Sequence, residues 1–322
     1  MKKDRLILLT ILLTSLVACR KEVPADTPLV FTDVQTKVGL SSYYKDFKVW
    51  GYCLAESDSD IMTGYKVIHD DALGWCYTEI PGTEGQELQY WSYSASLYRF
   101  HAGAPFERVK AMDSSSLTLQ MDTTTSISKT SLFTEPCLIK RGDPAFGSTV
   151  NLAFVYANAK LNLAFKCASS VNVSITDIKL TPPSGAYYAT SGKLELQYDW
   201  DRPAVSVKAL TVDSKSSAPL AFPDVSVQAG TTDAVQTKSP WYLIPQDDSA
   251  KGQWKMSATI IDGSPKPMEV EVYFTLSKGW EAGKSYLFRF EYTDEARLVF
   301  LGTEECLFIG KAPEDGGNHN FS

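Results

Sequence analysis

Apolar and polar positions alternate with a period of two along most of the chain. Phe47, Val49, Gly51 and Cys53 alternate with Lys48, Trp50 and Tyr52, and the same rhythm returns at Leu161, Leu163, Phe165 and Cys167, and at Leu194, Leu196 and Tyr198. That period puts every second side chain on one face of a pleated backbone, the pattern of a half-buried strand. Residues 65–69, 75–80, 88–91, 95–101 and 116–121 also read as strands, with a polar turn at 57–60. Further on, 150–156 and 161–167 read as one hairpin joined through 157–160, and 254–261 and 268–276 as a second hairpin around 262–267. Residues 171–178, 205–210, 241–244, 286–292 and 298–301 complete the set, with 214–240 as a long loop carrying short strands. No segment keeps a helical period for three turns. Short strands with frequent turns and no helical connectors predict an all-β, antiparallel sandwich architecture.

The chain has 322 residues, long for one sandwich and natural for two in tandem. Residues 142–149 hold two glycines, a proline and an aspartate, and mark the boundary between an N-terminal domain, 29–147, and a C-terminal domain, 148–311. Residues 312–322 are a polar tail.

The N-terminus changes the picture. Lys2, Lys3 and Arg5 precede an apolar run from Leu6 that ends in Leu16, Val17, Ala18 and Cys19. A positive end, about a dozen apolar residues and small residues at a cut site make a secretory signal, here 1–18. The run is short for a membrane-spanning helix. Its end resembles the lipobox of bacterial lipoproteins, which implies acylation of the Cys19 sulfur, palmitate included, and a spacer over 19–28. The formal net charge is −7, and about −9 once the signal is removed. An acidic chain without a basic stripe excludes nucleic acid as a partner.

Candidate chemistry is sparse. There is no G-x-S-x-G, H-E-x-x-H, P-loop or dinucleotide fingerprint. Three histidines, His69, His101 and His319, make no ligand pattern, so neither metal nor cofactor is expected. The acidic doublets (Asp58/Asp60, Asp70/Asp71, Asp199/Asp201, Asp247/Asp248, Glu304/Glu305) read as turn residues or solvated charges. No enzymatic activity is expected. Of six cysteines, five remain if Cys19 carries lipid, so complete pairing is impossible. Cys53 and Cys76, on neighbouring candidate strands, are either a disulfide or two small buried side chains. Most of the seven tryptophans are expected in the core; Trp200, between Asp199 and Asp201, is the candidate for an exposed ring that stacks on a ligand.

Several steps together resemble the fimbrillin-like (Mfa-like) lipoproteins of Bacteroidales. In the first half these are Gly51-Tyr52, Gly74-Trp75 with Tyr77, Tyr90-Trp91, and Tyr98 and Phe100 leading to Pro105. In the second half they are Val150, Leu152 and Phe154 leading into Leu161 and Phe165, then Tyr242-Leu243-Ile244-Pro245-Gln246, and Trp280 through Gly283 to Tyr286. The resemblance implies two transthyretin-like β-sandwich domains. It implies a structural or adhesive fimbrial subunit (stalk, tip or anchor) held at the outer membrane and surface-exposed. It also implies assembly by strand exchange with itself or other subunits. In that scheme Leu29, Val30, Phe31 and Val34, within 29–36, form the removed or donor strand, and Lys37 is the processing position. The alternative is an uncut surface lipoprotein that binds a glycan or a host protein.

Overall fold

The computed structural model describes residues 27–32, 43–55, 58–246 and 251–308. Strands β1 (Asp46–Leu54), β2 (Asp58–Asp70), β3 (Gly74–Cys76) and β4 (Leu97–Ala104) begin a first sheet. Strands β5 (Val109–Met112) and β6 (Ser116–Asp122) begin a second. The chain then returns to the first sheet with β7 (Leu132–Thr134), β8 (Cys137–Lys140) and β9 (Phe154–Tyr156). The first sheet runs β3-β2-β1-β4-β7-β9, with β8 also on β4.

Strand β10 (Ala159–Cys167) opens a third sheet and β11 (Val173–Thr181) a fourth. Strands β12 (Tyr188–Asp199) and β13 (Ala204–Ser216) go back to the second, which runs β13-β12-β6-β5. The remaining strands are β14 (Leu220–Ala221), β15 (Val225–Val227), β16 (Thr231–Gln236), β17 (Trp241–Leu243), β18 (Gly252–Ile261), β19 (Met268–Leu276), β20 (Lys284–Tyr292) and β21 (Leu298–Leu307). The third sheet is β16-β10-β20-β21 with β17 on β10; the fourth is β14-β11-β18-β19 with β15 on β11. Among the described residues, helix is confined to two 3-10 turns, Phe106–Arg108 and Ile127–Lys129. The architecture is all-β.

The third and fourth sheets close over one core. Phe165, Phe288 and Phe290 enter it from one side and Ile175, Trp254 and Phe274 from the other. The first sheet is packed on two faces at β4. Tyr98 and Phe100 point into a core with Phe47, Val49 and the N-terminal residues Leu29 and Phe31. On the opposite face a Cβ at Gly103 would stand 2.8 Å from Val109 Cγ2, so glycine lets the second sheet approach β4 there.

Several expectations are revised. The hairpin expected over 150–167 does not form. Strand β9 pairs with β7 in the first sheet, whereas β10 pairs with β16, β17 and β20 in the third. The turn between them is captured by buried polar contacts. Ala157 N donates to Ser131 O at 2.8 Å, Ser131 N to Asn158 Oδ1 at 3.1 Å and Asn158 Nδ2 to Asp122 O at 3.0 Å. The chain therefore steps from one sheet to another.

The sheets are not purely antiparallel, because β10 and β20 pair in parallel from Lys160↔Ser285 to Cys167↔Tyr292. A parallel pair needs a long crossover, and here the crossover carries the whole fourth sheet. Pairings also span the boundary expected at 147/148, since β12 lies beside β6 from Ser191↔Asp122 to Gln197↔Ser116. The turn expected at 57–60 is largely strand, with Asp60 paired to Tyr52 and Ser59 to Cys53. The expected strand 75–80 ends at Cys76, and 88–91 holds a single bridge at Tyr90.

Candidate functional site: the N-terminal segment and its groove

Residues 27–32 run extended through the first core, bridged to Tyr90 at Pro28 and to Trp75 and Val150 at Phe31. Leu29 and Phe31 are 0% and 3% exposed while Val30 between them is 43% exposed, so the period of two is realised in packing. The Phe31 ring meets Phe47 at 5.8 Å, Tyr77 at 5.9 Å and Phe100 at 6.1 Å, all edge-to-face or close to it.

Both backbone edges of the segment are bonded. On one side Leu29 N donates to Gln89 O at 2.8 Å, and Trp91 N donates to Thr27 O at 2.9 Å. On the other, Val150 N donates to Val30 O at 2.7 Å and Thr32 N to Val150 O at 3.3 Å. The Tyr77 hydroxyl donates to Leu29 O at 3.0 Å and accepts from Gln89 N at 3.1 Å, tying the segment to its neighbour. Burying two such side chains contributes about 3–6 kcal/mol, and four backbone bonds about 4 kcal/mol more. Without this segment the sandwich would present an apolar slot flanked by two unpaired backbone edges.

Of the residues expected in this strand, Leu29, Val30 and Phe31 occupy the slot. Val34, Lys37 and Cys19 lie outside the described residues. Only the alternation of Leu29 and Phe31 with Val30 and Thr32 was available to point to the slot; its walls, Gln89, Trp91 and Val150, come from distant segments and carry no local signal.

Cys53 and Cys76 are free thiols. Strand β2 separates β1 from β3, and Cys76 faces Ile68, which faces Asp46 at the far end of β1. Seven residues of strand, about 23 Å, lie between that level and Cys53. A disulfide needs Cα atoms within about 7 Å, so of the two alternatives the geometry leaves two separate cysteines. Cys53 is buried in the first core, and burial pushes its thiol pKa up.

Trp200 is half-buried and held in place. Its indole N–H donates to Ser114 O at 2.8 Å, and its ring stacks on Tyr198 with centroids 5.7 Å apart and planes 17° apart. One face is therefore used within the protein. Trp75, Trp91, Trp254 and Trp280 are buried. The doublets Asp70/Asp71 and Asp199/Asp201 each spend one carboxylate on their own turn. Asp70 Oδ1 accepts from Ala72 N and Leu73 N, and Asp199 Oδ1 accepts from Asp201 N and Arg202 N. Among the described residues, no three His, Cys, Asp or Glu side chains are grouped to hold a metal ion.

No protein-family model matches the chain, and no curated protein matches it significantly. Solved structures do match. A fimbrial protein from Bacteroides vulgatus superposes with a TM-score of 0.50 at 13% identity, covering 87% of this chain and 99% of that one. The fimbrial anchor protein Mfa2 from Porphyromonas gingivalis matches with a TM-score of 0.32 at 11% identity, covering 88% of this chain and 100% of that one. The chain shares the fold of the Bacteroides vulgatus fimbrial protein over nearly all of that protein's length.

Proposed function

We propose that this chain is a surface lipoprotein of the fimbrillin-like type, a structural or adhesive fimbrial subunit without catalytic activity that assembles by β-strand addition. The observation that carries the reading is the seating of Leu29 and Phe31, buried side chains on a short segment bonded along both edges. A strand in that position can be exchanged for an equivalent strand from another subunit, with main-chain bonds giving affinity and alternate side chains giving specificity. The vacated slot must be refilled, because an open edge above an apolar core is an aggregation site.

In this reading Cys19 is acylated after removal of the signal and anchors the precursor to the outer membrane. Each buried methylene contributes about 0.8 kcal/mol, so more than one acyl chain gives slow release. Cleavage at Lys37 then removes the lipid together with 29–36, and a strand from a second subunit enters. The likeness in fold to a fimbrial protein supports the assignment of class.

The test is the intact mass of the cell-surface form. Loss of the residues through Lys37, with a ladder of multimers, is the expected result, and Lys37→Ala should leave a lipidated monomer. A surface protein that keeps its lipid and runs only as a monomer would refute assembly by exchange. Labelled palmitate incorporated into a Cys19→Ala variant would refute the anchor.

A further inference from the structure

On the face of the first sheet that meets the second sheet, β4 carries at its margin an arginine to which no described residue offers an acceptor. Arg99 on β4 lies opposite Tyr52 on β1 and Leu138 on β8. Its guanidinium carbon is 5.3 Å from the centroid of the Tyr52 ring and 5.8 Å from that of Trp200. Nε is enclosed and has no hydrogen-bond partner, and among the described residues no carboxylate pairs with the group. Three other arginines meet carboxylates: Arg108 meets Asp122, Arg289 meets Glu304 and Arg297 meets Glu295. A half-buried cation contacted only by ring faces retains its capacity for a planar, two-pronged bond to a carboxylate.

The surroundings are fixed in advance. Trp50, half-buried and two residues from Tyr52 on the same face, donates its indole N–H to Asp60 Oδ1 at 2.8 Å. Trp200 is held by Ser114 and Tyr198 as described. Lys140, exposed and paired with Leu97, is the next position on that face beyond Leu138 and adds positive charge. Rings already immobilised lose little entropy when a ligand arrives. Aromatic rings offer apolar surface to the C–H face of a sugar, and the guanidinium fork offers two parallel donors to a carboxylate. One ligand class presents both features on a single ring.

We propose that Arg99, framed by Trp50, Tyr52 and Trp200, binds the carboxylate of an acidic pyranose, a uronic or sialic acid unit of a surface glycan. The arginine supplies the charge-assisted pair, the half-buried ring of Trp50 carries the sugar face, and Tyr52 backs the guanidinium. Trp200, with one face already on Tyr198, acts as a wall that holds the guanidinium. The site lies at the half-exposed margin of that packed face and is shallow, so a single unit binds weakly, with a Kd on the order of 0.1–1 mM. It does not depend on strand exchange, since none of its residues belongs to the N-terminal segment.

The test uses the purified full-length mature protein in calorimetric and saturation-transfer NMR titrations. The probes are methyl glucuronide against methyl glucoside, sialyllactose against lactose, and an oligoglutamate peptide as a non-sugar carboxylate. The expected result is that at least one acidic sugar binds at least tenfold more tightly than its neutral counterpart and than the peptide. Whichever acid binds identifies the source. Arg99→Gln should abolish the discrimination. Arg99→Lys, which keeps the charge and most of the stem, should bind at least tenfold more weakly, with the melting temperature unchanged. Equal affinity for acidic and neutral sugars overturns the proposal. So does equal or tighter binding of the peptide, no saturable binding of either acid up to about 20 mM, or wild-type affinity in Arg99→Lys.

Discussion

Gln246 and Trp280 exchange both backbone hydrogen bonds, Gln246 N to Trp280 O at 2.9 Å and Trp280 N to Gln246 O at 2.7 Å. The bridge joins the Tyr-Leu-Ile-Pro-Gln step to the Trp-Glu-Ala-Gly-Lys turn, the two most distinctive stretches of the sequence. Gln246 is also buried, and its Oε1 accepts from Ala189 N at 2.8 Å, which ties β12 to the same point. Gln246→Ala leaves the Ala189 N–H without its acceptor. The expected cost is about 1–3 kcal/mol, read as a lower urea midpoint at unchanged slope.

His101 is expected to make stability depend on pH. It is 1% exposed, its Nε2 has no partner, and its ring lies 4.4 Å from that of Tyr198. Burial lowers its pKa from 6.5 to about 4, opposed more weakly by Ser116 and Asp113. A group depressed in the folded state takes up its proton more readily when unfolded. The stabilisation is therefore complete above about pH 6.5 and is lost as pH falls toward 4, by up to about 3 kcal/mol. Denaturant titrations across that window should show the loss, and His101→Leu should flatten it.

Asn158 determines where the chain changes sheet. Asn158→Ala removes the acceptor for Ser131 N, which is buried, and the donor to Asp122 O, which is partly buried. A loss of about 2–4 kcal/mol is expected in equilibrium unfolding. Asn158→Asp should recover part of it at most, because the carboxylate still accepts from Ser131 but cannot donate to Asp122.

Phe31 anchors the inserted segment. Phe31→Ala should cost about 3–5 kcal/mol in the uncut protein, since its ring packs on Phe47, Tyr77 and Phe100. Tyr77→Phe removes the bond to Leu29 O and the acceptor of Gln89 N and should do less, about 1–2 kcal/mol. Limited proteolysis should find residues 27–32 cut faster in both variants, and faster in Phe31→Ala than in Tyr77→Phe.

The strands were legible in the sequence where burial is one-sided. The alternation at Phe47–Cys53, Leu194–Tyr198 and Tyr286–Tyr292 follows directly from side chains facing a core on one side only. Gly283, in the Trp280–Tyr286 step, has φ +71°, and a Cβ would stand 2.9 Å from Val155 Cγ1. Partner choice was less legible. Nothing local to Tyr156 or Leu161 says that one joins β7 and the other β20, because both read as apolar alternation, and the decision rests on Asn158, a polar residue with distant partners. The separation of Cys53 from Cys76 was hidden for the same reason: adjacency in sequence order says which strands pair, not the level at which their ends meet. At the candidate sites, the alternation around Val30 was readable. The isolation of Arg99 was not, since it depends on which carboxylates the fold carries elsewhere.

The return of β12 and β13 to the second sheet has a practical meaning. A polypeptide severed between residues 147 and 148 would have β6 in one piece and its neighbour β12 in the other. Neither piece should remain soluble alone, while the two refolded together should recover the parent's circular dichroism. The molecule should melt as a single cooperative unit.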